Sequence, residues 1–348
     1  MNQLPRRILL VRMDRIGDLV LTLPVDENFQ SSATQWWIPP GLSFITQAAS
    51  PKRKAREVAR RISFSGFFAL LHEVRNENFD AAIVFHAPWW VSFLLWLARI
   101  PLRCGVKSQW HSFLFLNRAI RQKRSQAEVS ELEYNFQLVE KSLRLPPGSL
   151  VRHTLQLVGA SEVERRKQLD TFGLTAGDYS VVHPGMGGSA LNWPVKNYEE
   201  LIRKLLEKES VVITGTGADE PYLAPLRELI SKEKRILWLD GKLKGPDLIT
   251  VLSSARSVIA PSTGVLHLSA STSVPTLGIF SPVRVQQPRR WGPQGAKTAT
   301  LMPEVDCPGE TRCLGSVCAY YPCMIRVTPD QASQAINRLT QIQSGGPK

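Results

Sequence analysis

The second half of this sequence alternates apolar runs of strand length with amphipathic stretches of helix length, and each apolar run ends in glycine or small polar residues. SVVHPG (180–185), SVVITGTG (210–217), RILWLDG (235–241), SVIAPSTG (257–264) and TLGIFSP (276–282) read as strands, the last of them as the final one. Between them NYEELIRKLLEKE (197–209), YLAPLRELISKE (222–233), PDLITVLSSA (246–255) and VLHLSASTS (265–273) read as helices. Strands that are apolar throughout are buried on both faces, and intervening helices supply the cover. The pattern predicts an α/β fold with a doubly wound parallel sheet.

The first half repeats the alternation less regularly. RRILLVRM (6–13), QWWIPP (35–40) and FDAAIVFHAP (79–88) read as strands, and 56–77, 89–100 and 128–145 as helices, with no convincing helix between Pro24 and Trp36. The Pro/Gly-bearing LPPGSLVRHT (145–154) leads to the second unit, and PDQASQAINRLTQIQ (329–343) makes a closing helix. With 348 residues the chain is long enough for two domains. The expected division is 1–160, 161–328 and a final segment 329–348.

Ligands of open parallel sheets bind beyond the carboxyl ends of the strands. Three such ends in the second half converge on small hydrogen-bonding residues. In HPGMGGSALNWP (183–194), Gly185, Gly187 and Gly188 allow close backbone approach and Ser189 adds a hydroxyl, a combination suited to a diphosphate. In TGTGADE (214–220), Glu220 can accept from ribose hydroxyls or simply favour a helix N-terminus. In PSTGVLHLSAS (261–271), Ser262 or Thr263 caps a helix that Gly264 opens to an anion. His267 lies one turn on, although a lone histidine in an apolar helix is more often a packed core residue. In the first half, RMDRIGD (12–18) ends the first strand. Asp18, after the flexible Gly17, is the candidate general base, with Asp14 as its competitor and helix capping as its plainer role.

A net charge of +13 points to an anionic partner: nucleic acid, anionic lipid or a phosphorylated substrate. No helix-turn-helix, zinc-finger or RNA-recognition pattern supports nucleic acid, so none is expected. No apolar stretch is long enough to span a membrane, and the N-terminal apolar run is broken by Arg12, Asp14 and Arg15, so a cytoplasmic protein is expected. Of five cysteines, Cys307, Cys313, Cys318 and Cys323 cluster in a C-x5-C-x4-C-x4-C spacing that departs from common zinc ribbons. Buried thiols and a structural zinc or iron–sulfur site both stay open.

Four segments in order, ILLVRMDRIGDLVLTLP, VVHPGMGGSALNWPVKNYEELI, APSTGVLHLSASTSVPTLGIFSP and YPCMIRVTPDQASQAI, resemble the signatures of glycosyltransferase family 9, the ADP-heptose:lipopolysaccharide heptosyltransferases and their relatives. The likeness is nearly continuous over the second half. In the first it takes in residues 8–24, FDAAIVFHAPWW, RCGVKSQW and SELEYNFQLVE. It implies a GT-B fold of two Rossmann-like domains facing across a cleft. The N-terminal one would hold the acceptor and the C-terminal one the nucleotide-sugar, with the closing helix crossing back to the first. It also implies inverting, metal-independent transfer with no required cofactor, Asp18 deprotonating the acceptor hydroxyl.

By the same resemblance, Gly185, Gly187, Gly188, Ser189, Asn192, Trp193, Glu220, Ser262, Thr263, Gly264 and His267 bind the donor, ADP-heptose. Arg15, Trp89, Trp90 and Arg124 are candidates for an anionic glycolipid acceptor, and basic clusters at 51–61 and 117–124 for phosphate or an anionic inner-membrane face. Trp36 and Trp37 also suggest aromatic surface near sugar or lipid, whereas Trp96 reads as core. Two positions depart from the heptosyltransferase pattern. Leu191 stands where many members have lysine, and Ser262-Thr263-Gly264 where they have Asp-Thr-Gly. A transferase using another nucleotide-sugar for O-antigen or another surface glycan is the alternative.

Overall fold

The computed structural model describes residues 4–188 and 190–341. It contains two six-stranded sheets in which every pairing is parallel. The first is built from β1 (Arg7–Arg12), β2 (Ala33–Ile38), β3 (Ala55–Glu57), β4 (Ala81–His86), β5 (Leu102–Val106) and β6 (Arg118–Ile120), in the spatial order β3-β2-β1-β4-β5-β6. The second is built from β7 (Tyr179–Val182), β8 (Ser210–Ile213), β9 (Ile236–Trp238), β10 (Ser257–Pro261), β11 (Thr276–Ile279) and β12 (Thr298–Leu301), in the order β9-β8-β7-β10-β11-β12. The winding is the same in both. The strand order reverses beside β1 in one sheet and beside β7 in the other, and such a switch point opens a crevice at the carboxyl ends of the strands. Together the two Rossmann-like units make a GT-B fold.

The helices of the first unit that bear on the site are α1 (Ile16–Val20), α2 (Phe64–Asn76), α3 (Trp89–Leu97), α4 (Trp110–Phe115) and α5 (Glu131–Leu143). Those that matter in the second are α6 (Val195–Leu206), α7 (Gly245–Ser253), α8 (Gly264–Ser271) and α9 (Pro329–Gln341). Central strands are apolar because helices cover both faces. Ile8, Leu9, Leu10 and Val11 of β1, and Val181 and Val182 of β7, are wholly buried.

Several expectations need correction. Arg56 and Glu57, read as the start of a helix, pair as part of β3 with Trp37 and Ile38, and helix α2 starts only at Phe64, where the Ser63 hydroxyl caps the Gly66 N–H at 3.1 Å. Local charge content gave no sign of that pairing. The sheet also does not end at 276–282, because β12 adds to β11 as a half-buried edge strand with little apolar character. Among the described residues, compact unit one holds 4–124 and 131–155, and unit two holds 125–130 and the chain from 156 to 341. Loop 125–130 joins the second unit, where Arg289 Nε donates to the Glu128 carbonyl at 2.7 Å. The closing helix α9, expected to cross to the first domain, buries Ala332, Ile336 and Leu339 in the second unit's own core beside Leu201 and Leu277. Its apolar stripe at three- and four-residue spacing matches α6 there.

Candidate active site

A charged side chain at the end of an apolar strand organises the first switch point. Arg12, the last residue of β1, is only 3% exposed. A buried guanidinium persists only when paired. Its Nε donates to Asp14 at 2.7 Å, its Nη2 donates to Asp18, and its Nη1 lies 3.6 Å from Glu131 in the first turn of α5. Burial opposes this charge, but the three carboxylates overcome it and raise the Arg12 pKa. Asp18 sits in the first turn of α1 with its side chain mostly withdrawn from water. Desolvation pushes its pKa up to about 6, with Arg12 pulling the other way and Asp14 and Glu131 adding to the rise.

Two further groups complete this end of the sheet. His86, last in β4, pairs in register with Arg12, and its carbonyl accepts the Met13 N–H at 2.9 Å. Its imidazole is pushed below the ordinary value by desolvation first, then by Arg12, Arg60 and Arg124, against the pull of Asp14. Arg124 donates to Glu131, to Gln122 at 3.0 and 2.8 Å and to Asn135 at 3.3 Å. The site therefore combines a semi-buried carboxylate with a basic surround. Arg12, Arg60, His86 and Glu131 were not singled out from the sequence. The available signal was Arg12 itself, a charge inside an otherwise apolar strand.

At the second switch point, β7 leads into His183 and the glycine loop. Gly187 and Gly188 have φ of +51° and +71°, left-handed conformations that favour glycine. A Cβ on Gly185 would run into the Asp219 carboxyl group. Asp219 accepts from the Gly187 N–H at 3.1 Å and from the Thr216 N–H and hydroxyl at 3.0 and 2.8 Å, tying the β7 and β8 loops together. His183, packed against Thr214 at 3.0 Å, is held below its ordinary pKa by burial. Ser189 lies outside the described residues.

The other donor candidates divide into two groups. Ser262, Thr263 and Gly264 form the β10–α8 junction, with Thr263 as N-cap but without a side-chain capping bond. Thr263 Oγ1 and His267 Nδ1, one helical turn apart, are both buried without a hydrogen-bond partner among the described residues. Burial alone takes the His267 pKa down to about 4, so the ring is neutral. Asn192 and Trp193 instead serve the scaffold. Asn192 donates to the Pro184 carbonyl at 2.7 Å and accepts from the Trp193 N–H at 2.8 Å, while the Trp193 indole, 1% exposed, donates to the Val327 carbonyl at 2.8 Å. Leu191 packs against that same core. Glu220 is bound by Arg227 at 2.9 and 3.1 Å, and Arg227 stacks over Trp238.

Among the acceptor candidates, Arg15 is exposed at the α1 N-cap and Trp89 is half exposed. Trp90 is buried, its indole donating to the Arg60 carbonyl at 3.0 Å, and Trp36 and Trp37 are core residues of β2 itself. Trp96, read as core, is instead 45% exposed, because it faces outward from α3. The cysteines are free thiols, and the Cys323 thiol is pushed up by burial and by the neighbouring Cys307, Cys313 and Cys318. Among the described residues no group of three or more Cys, His, Asp or Glu is arranged to hold a metal ion. Nor is any described helix long and apolar enough to cross a membrane.

The sequence model of glycosyltransferase family 9 (heptosyltransferase) matches residues 67–313. A putative glycosyltransferase of Haemophilus influenzae is 28% identical over 311 residues, covering 82% of this chain and 86% of that protein. Lipopolysaccharide heptosyltransferase 3 of Escherichia coli is 23% identical over 285 residues, covering 76% and 80%. Among solved structures, ADP-heptose LPS heptosyltransferase II of E. coli superposes with a TM-score of 0.77 at 18% identity, over 97% of this chain and 100% of that one. The E. coli heptosyltransferase WaaC with ADP gives 0.68 at 19% identity, over 96% and 99%. At these identities the structures speak to the fold.

Proposed function

Because the chain belongs to glycosyltransferase family 9, the heptosyltransferase family, we propose that it moves a sugar, heptose from ADP-heptose, onto a lipopolysaccharide core or related anionic glycolipid at the cytoplasmic membrane face. The observation that carries this reading is the environment of Asp18, a carboxylate whose pKa desolvation pushes up to about 6. A base poised near neutral pH can take the proton from an acceptor hydroxyl while staying largely ionised. As the acceptor oxygen attacks the anomeric carbon, the bond from that carbon to the nucleoside diphosphate breaks. A single displacement of this kind inverts the configuration and needs no metal ion. Arg12 holds Asp18 in place, and Arg60, Arg124 and Arg15 provide positive charge for acceptor phosphate or carboxylate groups.

On the donor side, the glycine loop and the α8 N-terminus receive the diphosphate, whose charge grows as the bond breaks. Thr263 Oγ1 and the neutral His267 Nδ1 have no partner among the described residues and gain one from the donor. Glu220 accepts from ribose hydroxyls while Arg227 fixes its carboxylate. Asn192 and Trp193 act by shaping the loop. The names of the relatives support lipopolysaccharide as acceptor. A second reading has its own support: Leu191 faces the core, where many family members carry a cation, and Ser262 removes an acidic sugar contact. That reading keeps the reaction and changes the sugar.

Replacing Asp18 by Asn tests the base. Transfer is expected to be lost while ADP binding persists, and a fully active variant would refute the assignment. Thermal stabilisation across a panel of nucleotide-sugars separates the two donor readings, since the true donor raises the Tm by binding linkage.

A further inference from the structure

The first unit carries an exposed aromatic surface that the transfer chemistry does not use. On α2, Phe64 is 82% and Phe68 49% exposed; on α3, Trp96 is 45% exposed; on α4, Trp110 is 59% and Leu114 66% exposed. The rings form one continuous patch. Phe64 meets Phe68 at 4.8 Å and Phe68 meets Phe67 at 5.6 Å. Phe67 stacks on Phe93 at 5.9 Å, Phe93 on Trp96 at 6.0 Å, and Phe115 joins Trp96 at 5.8 Å to Trp110 at 6.2 Å. Contiguous apolar surface on this scale marks an interaction site.

Charge selects the partner. From Ala81 to Ala127 the chain has seven Lys and Arg and no Asp or Glu. Arg61 is exposed ahead of α2, Arg99 is exposed after α3, and Lys107 lies over the Phe113 ring at 4.8 Å. Helix α2 brings one carboxylate, Glu73, which is paired with Arg56. Tryptophan and phenylalanine edged by cations suit the headgroup zone of an anionic bilayer, where indoles sit at the apolar–polar boundary and lysine and arginine meet phosphates. The surface also adjoins the base. Helix α3 starts at Trp89, three residues after His86, the register partner of Arg12.

We infer that the α2–α3–α4 face docks into the interfacial layer of an anionic phospholipid bilayer, bringing Asp18 to the level of membrane-anchored acceptor headgroups. This rests on the glycolipid-acceptor reading above and specifies the surface that engages the membrane. It differs from the basic clusters alone in requiring aromatic insertion.

The test is co-sedimentation of the full chain with phosphatidylglycerol/phosphatidylethanolamine vesicles and with phosphatidylcholine vesicles. The wild type is expected to bind the first at least tenfold more tightly, with its tryptophan emission moving to the blue and quenched by brominated lipid. F64E/L114E changes two largely exposed side chains and is expected to lower that affinity at least tenfold while ADP binding is unchanged. W96S/W110S is expected to remove most of the quenching. Absence of vesicle binding by the wild type overturns the inference, as does undiminished binding by F64E/L114E. Light scattering that shows a dimer dissolved by F64E/L114E, with no vesicle binding, would assign the face to a second copy instead. Vesicle binding with no stabilisation by any nucleotide-sugar would instead count against the transferase reading and leave the docking face standing.

Discussion

Arg12 donates from Nη2 to Asp18 and from Nε to Asp14, so one buried guanidinium at the end of β1 fixes both aspartates of the first switch point. The arrangement separates two roles. Asp14 helps hold the cation, whereas Asp18 is the carboxylate that desolvation makes basic. Glu131, on the far side of Arg12, contributes negative charge from α5 and links the cluster to Arg124.

Asp18 should lower the stability of the resting protein. A carboxyl whose pKa rises from 3.8 to about 6 on folding binds its proton more tightly when folded. Its contribution to stability is therefore lost as pH rises through that window, and the cost stays in place above it, on the order of 3 kcal/mol at most. D18N should be more stable than the wild type at pH 8 by about 1–3 kcal/mol. The difference should shrink toward zero near pH 4, as read by denaturant melts across pH.

Glu131 raises the Asp18 pKa, so E131Q should lower it. The acidic limb of the kcat/KM profile is then expected to move to lower pH. Activity at pH 5, relative to each enzyme's plateau, should rise roughly two- to threefold. An unmoved limb would mean that another group controls it.

At Gly185 the absent side chain is what lets Asp219 tie the two loops. G185A should displace that carboxylate and with it the Gly187 N–H. Donor KM is expected to rise about tenfold or more, with roughly 1–3 kcal/mol of stability lost, as is usual for overpacking.

Thr263 offers a cleaner separation of ligand binding from folding. Its hydroxyl caps nothing and is buried without a partner among the described residues, so T263V removes no hydrogen bond seen in the unliganded protein. The unliganded Tm should hold or rise, whereas ADP affinity should drop about tenfold, the scale of one lost hydrogen bond to a charged group. Calorimetric titration paired with thermal melting reads both quantities.

Local pattern and tertiary structure determined different parts of this protein. The alternation of apolar runs and amphipathic stretches was enough for the parallel sheets, because burial on both faces leaves few polar positions in a central strand. Glycines at 185, 187 and 188 and the S-T-G junction marked the second switch point, because close backbone approach and positive φ restrict residue type. What only the tertiary structure decided were pairings between distant positions. The partners of Arg12 include Glu131, more than a hundred residues away, and Asp219 closes on Gly185 from the next strand end. Tertiary contacts also turned Trp193 into a core pillar and Trp96 into surface, since their rings are chemically alike and only the face of the packed element separates them. Asp18 was visible as a candidate from its place after a strand and a glycine. Its basicity was not, because desolvation depends on everything that folds over it.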